Sequence, residues 1–166
     1  AVLNDCKYGV NVLGNCINLT LLRSPFSPDP EADQGEQKFV YSFYAYTGSF
    51  MDSGVVQEGY DLNVPAQVLP GARKDGSLLT IEAGNVILET LKPAEDGSGD
   101  YILRMYESMR TATDTVLHLY LPCASISACN MLEEDEQPLT AEKTADGCAV
   151  ELHFRPFGIK TLRVHP

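Results

Sequence analysis

Apolar and polar positions alternate with a period of two through most of this chain, and no long 3.6-residue period replaces it. The pattern predicts strands. Apolar runs at 10–13 and 16–22 flank Gly14-Asn15, a hairpin signal. Ile17, Leu19 and Leu21 then share one face of the second strand. Around 39–46, Phe39, Tyr41, Phe43 and Ala45 alternate with Val40, Ser42, Tyr44 and Tyr46. Both faces of that strand are apolar or aromatic, so it is expected to be buried on both sides or to lie under another layer. Residues 48–59 read as loop and 60–69, which contain Pro65, as extended chain.

Pro70, Gly71, Lys74, Asp75 and Gly76 mark the best internal boundary. Beyond it, strand composition recurs at 78–82, 85–91, 101–107, 115–121, 125–131, 149–154 and 159–164. Turn formers fill 92–100, 108–114 and 140–147. Short strands at this spacing predict an all-β fold, an antiparallel β-sandwich.

One interruption stands out. Between Leu21 and Phe43, a strand enters an acidic loop broken by Pro25, Pro28 and Pro30, and a second strand leaves it. Three missing backbone donors keep the loop out of both sheet and helix. Asp29, Glu31, Asp33 and Glu36 crowd between Arg23 and Lys38. A long loop between strong strands is either functional or disordered, and its flanks argue for function.

The 166 residues carry a net charge of −11 and a pI near 4.5, which repels phosphate backbones and anionic membranes, so neither nucleic acid nor membrane is an expected partner. No apolar run reaches the ~18 residues of a membrane-spanning helix, and no leader is visible. A second acidic cluster, Glu133 to Glu136, reads as a solvated loop. The five cysteines are odd in number and irregularly spaced, which argues against a disulfide framework. With His118, His153 and His165 scattered, no metal site is expected within the chain. A reducing, cytoplasmic setting fits. Asn18-Leu19-Thr20 is a formal sequon inside an expected strand, and chance explains it best.

Five segments carry more than periodicity: NDCKYG (4–9), the acidic loop and its flanks, NVILETLKPAEDG (85–97), ILRMYE (102–107) and RPFGIKTLRV (155–164). Together they resemble the C-terminal region of glycoside hydrolase family 38, the α-mannosidases, most closely the branch of cytosolic and bacterial enzymes. The resemblance implies that residues 1–73 are the last strands of a large galactose-mutarotase-like β-sandwich, incomplete here, and that residues 74–166 are a small terminal β-sandwich. It also implies that catalysis lies upstream, on an N-terminal barrel with an Asp nucleophile and a zinc ion held by His and Asp. The parent would hydrolyse terminal α-mannosyl linkages with retention. Catalytic residues are therefore expected to be none here, with zinc confined to the absent catalytic domain.

On this reading the partners are the barrel of the same polypeptide and the α-mannoside substrate. The candidate substrate-binding residues are Lys7, Arg23, Asp29 and Asp33. In other branches of the family the segment at 5–9 reads Asp-Arg-x-x-Gly, and that Arg reaches substrate. Here Asp5 and Gly9 are kept but Cys6 replaces the Arg. Lys7 is the nearest cation, and it takes over the role only through a bulge or turn, because neighbours on a strand face opposite ways. Other readings of the loop stay open. It fixes itself through an Arg23–carboxylate network, or binds calcium through the EF-hand-like spacing of Asp29, Glu31 and Asp33. Against calcium, Gly35 comes one place late and Val40 stands where the bidentate Glu belongs. A self-contained pair of catalytic carboxylates lacks a rigid support. Tyr106 reads as a core or interdomain residue before a sugar-stacking one.

The alternative to an enzyme part is a stand-alone carbohydrate-binding or adhesion module, which the absence of Trp weakens. Because the chain opens directly into a strand, partner strands are expected to be missing, and self-association through the first half is the expected consequence.

Overall fold

A computed structural model describes residues 1–71 and 75–166. The chain divides into two compact units, Ala1–Gly71 and Ala72–Pro166. The boundary expected between residues 73 and 74 lies outside the described residues.

The first unit holds four short strands: β1 (Val2–Asn4), β2 (Val10–Leu13), β3 (Cys16–Leu19) and β4 (Tyr41–Phe43). They form separate two-stranded ribbons, β1 with β4 and β2 with β3. The hairpin turns at Gly14, whose φ of 60° suits a residue without Cβ. Its register opposes Val12 to Ile17 and Val10 to Leu19, and Asn18 Nδ2 donates to Asn11 Oδ1 at 2.7 Å across it. The second strand ends at Leu19, short of the expected Leu22.

The aromatic strand is likewise only three residues long. It is not buried on both sides: Tyr41 and Phe43 are exposed, because β1 is its one neighbour. Among the described residues of this unit none is buried.

The largest departure from expectation is helical. The stretch read as loop and extended chain contains a 3₁₀ turn, Phe50–Asp52, and a helix α1, Val55–Asn63. Val55, Val56, Gly59, Tyr60 and Leu62 are its half-buried positions, which is the i, i+1, i+4, i+5, i+7 spacing of one helix face. Asn63 Nδ2 ties its end to the carbonyl of Asn4 at 3.2 Å.

The second unit is an antiparallel sandwich. Its strands are β5 (Leu79–Ile81), β6 (Val86–Pro93), β7 (Tyr101–Glu107), β8 (Thr113–Leu119), β9 (Ser125–Cys129), β10 (Gln137–Pro138), β11 (Ala141–Thr144), β12 (Gly147–Phe154) and β13 (Ile159–His165). One sheet has the order β10-β9-β13-β7-β6, the other β11-β12-β8-β5. All seven expected strands are present, within a few residues of their expected ends. β10 and β11 are additional, the latter in a segment read as turn.

Period-two alternation explains the core. Leu117 and Leu119 of β8, and Val150, Leu152 and Phe154 of β12, face Leu103, Met105, Leu162 and Val164 of the other sheet. Each is at most 5 % exposed. A fully buried side chain of this size contributes about 1.5–3 kcal/mol, so this unit has the apolar interior that the first lacks.

Candidate functional site

The acidic loop is closed by one carboxylate. Asp33, at φ 62°, turns back so that its Oδ2 accepts the backbone N–H of Ser24 at 2.8 Å and of Arg23 at 3.3 Å. These donors, with the charge of Lys7, hold the Asp33 carboxyl below the usual carboxylate range. Asp29 is used locally: its Oδ1 accepts the N–H of Glu31 at 2.9 Å in an Asx turn. Ala32 N–H to the Asp29 carbonyl and Gln34 N–H to the Glu31 carbonyl continue the turn. The Ser27–Pro28 peptide is cis.

Arg23 contributes its backbone to this clamp, not its side chain. The guanidinium is exposed and makes no ion pair or hydrogen bond among the described residues. An Arg23–carboxylate network is therefore not what fixes the loop.

Lys7 follows a bend at Asp5 and Cys6. Its N–H donates to Asn4 Oδ1 at 2.6 Å, directly after β1 ends. Its ammonium lies 5.0 Å from the centre of the Phe39 ring, a cation–π contact. Asp5 bridges to the far side of the loop: its N–H donates to the Val40 carbonyl, and its Oδ1 accepts the Val40 N–H at 3.0 Å. The Cys6 thiol faces the Asp5 carboxylate, which lowers the acid and raises the thiol. The structure thus brings Lys7 within electrostatic reach of Asp33, leaves Arg23 pointing to solvent and turns Asp29 inward on its own loop.

The other candidate clusters serve the second unit's own architecture. Arg163, 8 % exposed, donates from Nε to Asp100 Oδ2 at 2.6 Å and from Nη2 to Asp96 Oδ2 at 2.5 Å and Ser98 Oγ at 2.9 Å. The guanidinium pulls both carboxyls down, Asp96 strongly. His165 lies 3.0 Å from both Asp100 and Glu136. Glu133 accepts Lys92 at 2.6 Å and the Glu95 N–H at 3.0 Å.

The cluster at 133–136 is therefore not a simple solvated loop. Glu133 is 9 % exposed, and Glu133 and Glu136 latch their loop to cations of β6 and β13. Glu107 is wholly buried and accepts N–H groups from Met109 (2.6 Å), Thr111 (3.2 Å) and Phe157 (2.9 Å), plus Asn85 Nδ2 (3.0 Å). Alternation was the signal for it: Leu103, Met105 and Glu107 share the inward face of β7. Desolvation opposes its charge, but these donors outweigh it and its pKa falls.

Among the described residues no group of three or more His, Cys, Asp or Glu side chains is placed to hold a metal ion. The loop acids offer calcium little either, since Asp29 and Asp33 already accept backbone donors.

Two family descriptions match this arrangement unit by unit. "Glycosyl hydrolases family 38 C-terminal beta sandwich domain" matches residues 85–162, and "Glycosyl hydrolases family 38 C-terminal domain" matches residues 1–31. Together they span more than half of the chain. The chain belongs to the C-terminal region of glycosyl hydrolase family 38.

It is 40% identical over 173 residues to Alpha-mannosidase G of Dictyostelium discoideum, covering 98% of this chain. It is 37% identical over 168 residues to Alpha-mannosidase 2C1 of Homo sapiens, again over 98% of the chain. Alpha-mannosidase of Saccharomyces cerevisiae is 29% identical over 188 residues and 99% of the chain. The chain spans only 16–17% of the length of these relatives. The family 38 match to residues 1–31 takes in Lys7, Arg23 and Asp29 but stops short of Asp33.

Proposed function

We propose that this chain is a non-catalytic C-terminal part of an α-mannosidase that hydrolyses terminal α-mannosyl linkages, and that its first unit packs against the rest of that enzyme. The observation that carries this reading is the contrast between the units. The second has a full apolar interior, whereas the first buries no side chain among its described residues, yet exposes Val12, Leu13, Ile17, Tyr41 and Phe43. Four strands in two-stranded ribbons bury too little apolar area to offset the conformational entropy of ordering them. A large covering partner resolves that imbalance, and the α-mannosidase relatives are about six times longer than the match. The 1–73 region then supplies the closing strands of a mutarotase-like sandwich, and 74–166 is the terminal one.

In this role the loop of Arg23 to Asp33 forms part of the wall of the mannose pocket. Arg23 is the side chain with donors to spare for sugar hydroxyls, Lys7 is the second cation, and Asp29 and Asp33 keep the wall in shape. The nucleophile and the zinc belong to the barrel. The setting is cytoplasmic; no helix among the described residues is long and apolar enough to cross a membrane.

The test has two arms. The purified chain, given an aryl α-mannoside and zinc, shows no turnover, and turnover that tracks the chain through purification overturns the non-catalytic role. In the parent enzyme, Arg23→Ala raises KM at least several-fold with a smaller change in kcat, as expected when uniform binding is lost. An unchanged KM removes Arg23 from the pocket.

A further inference from the structure

We infer that Cys123 and Cys148 form a reversible thiol–disulfide pair that staples the crossover between the two sheets of the second unit. The structure holds both as free thiols, with Cys148 Sγ donating to Cys123 Sγ at 2.6 Å. The separation is about half an ångström beyond the ~2.05 Å of a disulfide bond. Closing it asks for little more than a small side-chain adjustment.

The pair is not visible as a motif. Cys148 is the second residue of β12, opposite Leu119 in β8, and it belongs to the core at 2 % exposure. Cys123 lies four residues beyond Leu119, in the connection that leaves β8 for β9 in the other sheet. The fold therefore brings together residues 25 apart in sequence. That connection has no ladder of its own. It is held at its ends, where Tyr120 N–H bonds the Leu78 carbonyl and Ala124 N–H the His165 carbonyl.

The two sulfurs are unequal, and the inequality sets the order of events. Cys123 is half-buried and reachable, whereas Cys148 is enclosed. Burial, then the contact with Cys123, pushes the Cys148 thiol up, so it is a poor first nucleophile. The oxidant is a low-molecular-weight disulfide of the glutathione class. The Cys123 thiolate, having lost its proton to water, attacks one sulfur of that disulfide, and the S–S bond breaks to release one glutathione thiolate. The Cys148 thiol then gives up its proton and its sulfur displaces the second glutathione from Cys123. The net change is two protein thiols plus one small disulfide to one protein disulfide plus two small thiols. The reverse sequence, with excess small thiol, reopens the staple.

A cross-link between residues 25 apart restricts the unfolded chain strongly while the folded positions are already adjacent. Oxidation is thus expected to raise the unfolding midpoint of the second unit by about 10 °C or more.

The experiment uses the full 166-residue chain with Cys6→Ser and Cys16→Ser, which removes the exposed thiols of the first unit. The chain is incubated with oxidised glutathione, alkylated, digested and examined by mass spectrometry, with parallel thermal unfolding. The expected product is a 123–148 cross-linked peptide that excess reduced glutathione dissolves, with the raised midpoint present only in the cross-linked form. Adding Cys148→Ser is expected to trap a glutathione adduct at position 123. Adding Cys123→Ser is expected to leave Cys148 unmodified while the chain stays folded. A stable glutathione adduct at Cys123 in the parent background, two unreacted thiols, or a cross-linked chain that melts no higher than the reduced one would each overturn the proposal. Reaction at Cys148 in the Cys123→Ser variant overturns the stated order of attack.

Discussion

Asp33 Oδ2 accepts the backbone N–H of Ser24 at 2.8 Å, closing the proline-broken loop on itself across nine residues. Both residues sit at positive φ, 62° and 46°, a region Asp tolerates better than Ser, so the clamp holds strained backbone chiefly at Ser24. Replacing Asp33 with Ala removes the acceptor for both Ser24 and Arg23. Amide exchange at those two positions is expected to accelerate, while exchange in the second unit stays unchanged. The clamp also has a sign in pH. The Asp33 carboxyl is held below its usual 3.8, so the Ser24 amide resonance is expected to shift only as pH falls below that value. A Ser24 amide that titrates at or above 3.8 removes Asp33 from this role.

Glu107 predicts a steeper effect. Its buried carboxylate is the common acceptor for two loops at one end of the sandwich, 108–112 and 155–158. Glu107→Ala strands three backbone N–H groups and is expected to destabilise the second unit by about 3–5 kcal/mol, read by urea unfolding. Because the folded pKa lies below 4.5, the unfolded chain takes up the proton first as pH falls. The stabilisation is therefore complete above about pH 4.5 and is lost as pH drops through the folded pKa. Glu107→Gln is expected to flatten the acid limb of a stability–pH curve. An equally steep limb in that variant would assign the acid sensitivity elsewhere, with the Asp96–Arg163–Asp100 cluster the next place to look.

How far these features were legible depended on whether one residue's periodicity or two distant residues' proximity defined them. The core of the sandwich follows from period two, and so does the inward placement of Glu107. The hairpin follows from Gly14-Asn15. Helix α1 was also written in the chain, in the spacing of Val55, Val56, Gly59, Tyr60 and Leu62. Gly59 in mid-helix and Pro65 soon after hid it, although a Pro placed shortly after a helix end is itself a stop signal. β11 was read as turn because residues 140–147 are rich in turn formers and Ala141–Thr144 has little apolar content. At the candidate site, the family motifs singled out Lys7, Arg23, Asp29 and Asp33. The division between them into clamp and free cation depends on where each side chain turns, which residue type alone does not encode. The Arg163–Asp100 pair, 63 residues apart, exists only once β13 pairs with β7, and the Cys123–Cys148 pair, 25 apart, only once the β8–β9 connection passes β12.

Gly147 offers a local test of how β8 and β12 meet. A Cβ at this position would lie 1.9 Å from the carbonyl oxygen of Leu119, a main-chain atom that cannot rotate away. Gly147→Ala must therefore push β12 off β8 at its first paired residues. The expected cost is about 1–3 kcal/mol, with lost exchange protection at Leu119 and Cys148. A neutral variant would mean that the two strands separate freely at this end.

The first unit should behave as a surface in search of a partner. Its ribbons leave edge N–H and C=O groups unpaired on β1 to β4, and a two-stranded ribbon is marginal in water. Leu13 and Phe43 are 77% and 78% exposed, and Val12, next to Leu13, is 67% exposed. On the packing role proposed above, another copy of the chain is the nearest source of strand edges and apolar faces for the isolated chain. The isolated chain is therefore expected to self-associate in a concentration-dependent way through residues 1–71, as seen by size exclusion. Amide exchange is expected to separate the units, with slow exchange in β7, β8, β12 and β13 and fast exchange in β1 to β4. Val12→Lys and Phe43→Lys, one on each ribbon, are expected to shift the chain toward monomer without moving the unfolding midpoint of the second unit. Salt separates this from charge-driven clustering: at a net charge of −11, repulsion opposes association, so added salt is expected to strengthen it. A chain that stays monomeric at high concentration, with the ribbons as well protected as the sandwich, would show that the first unit completes its own fold. The packing role proposed for it would then fail.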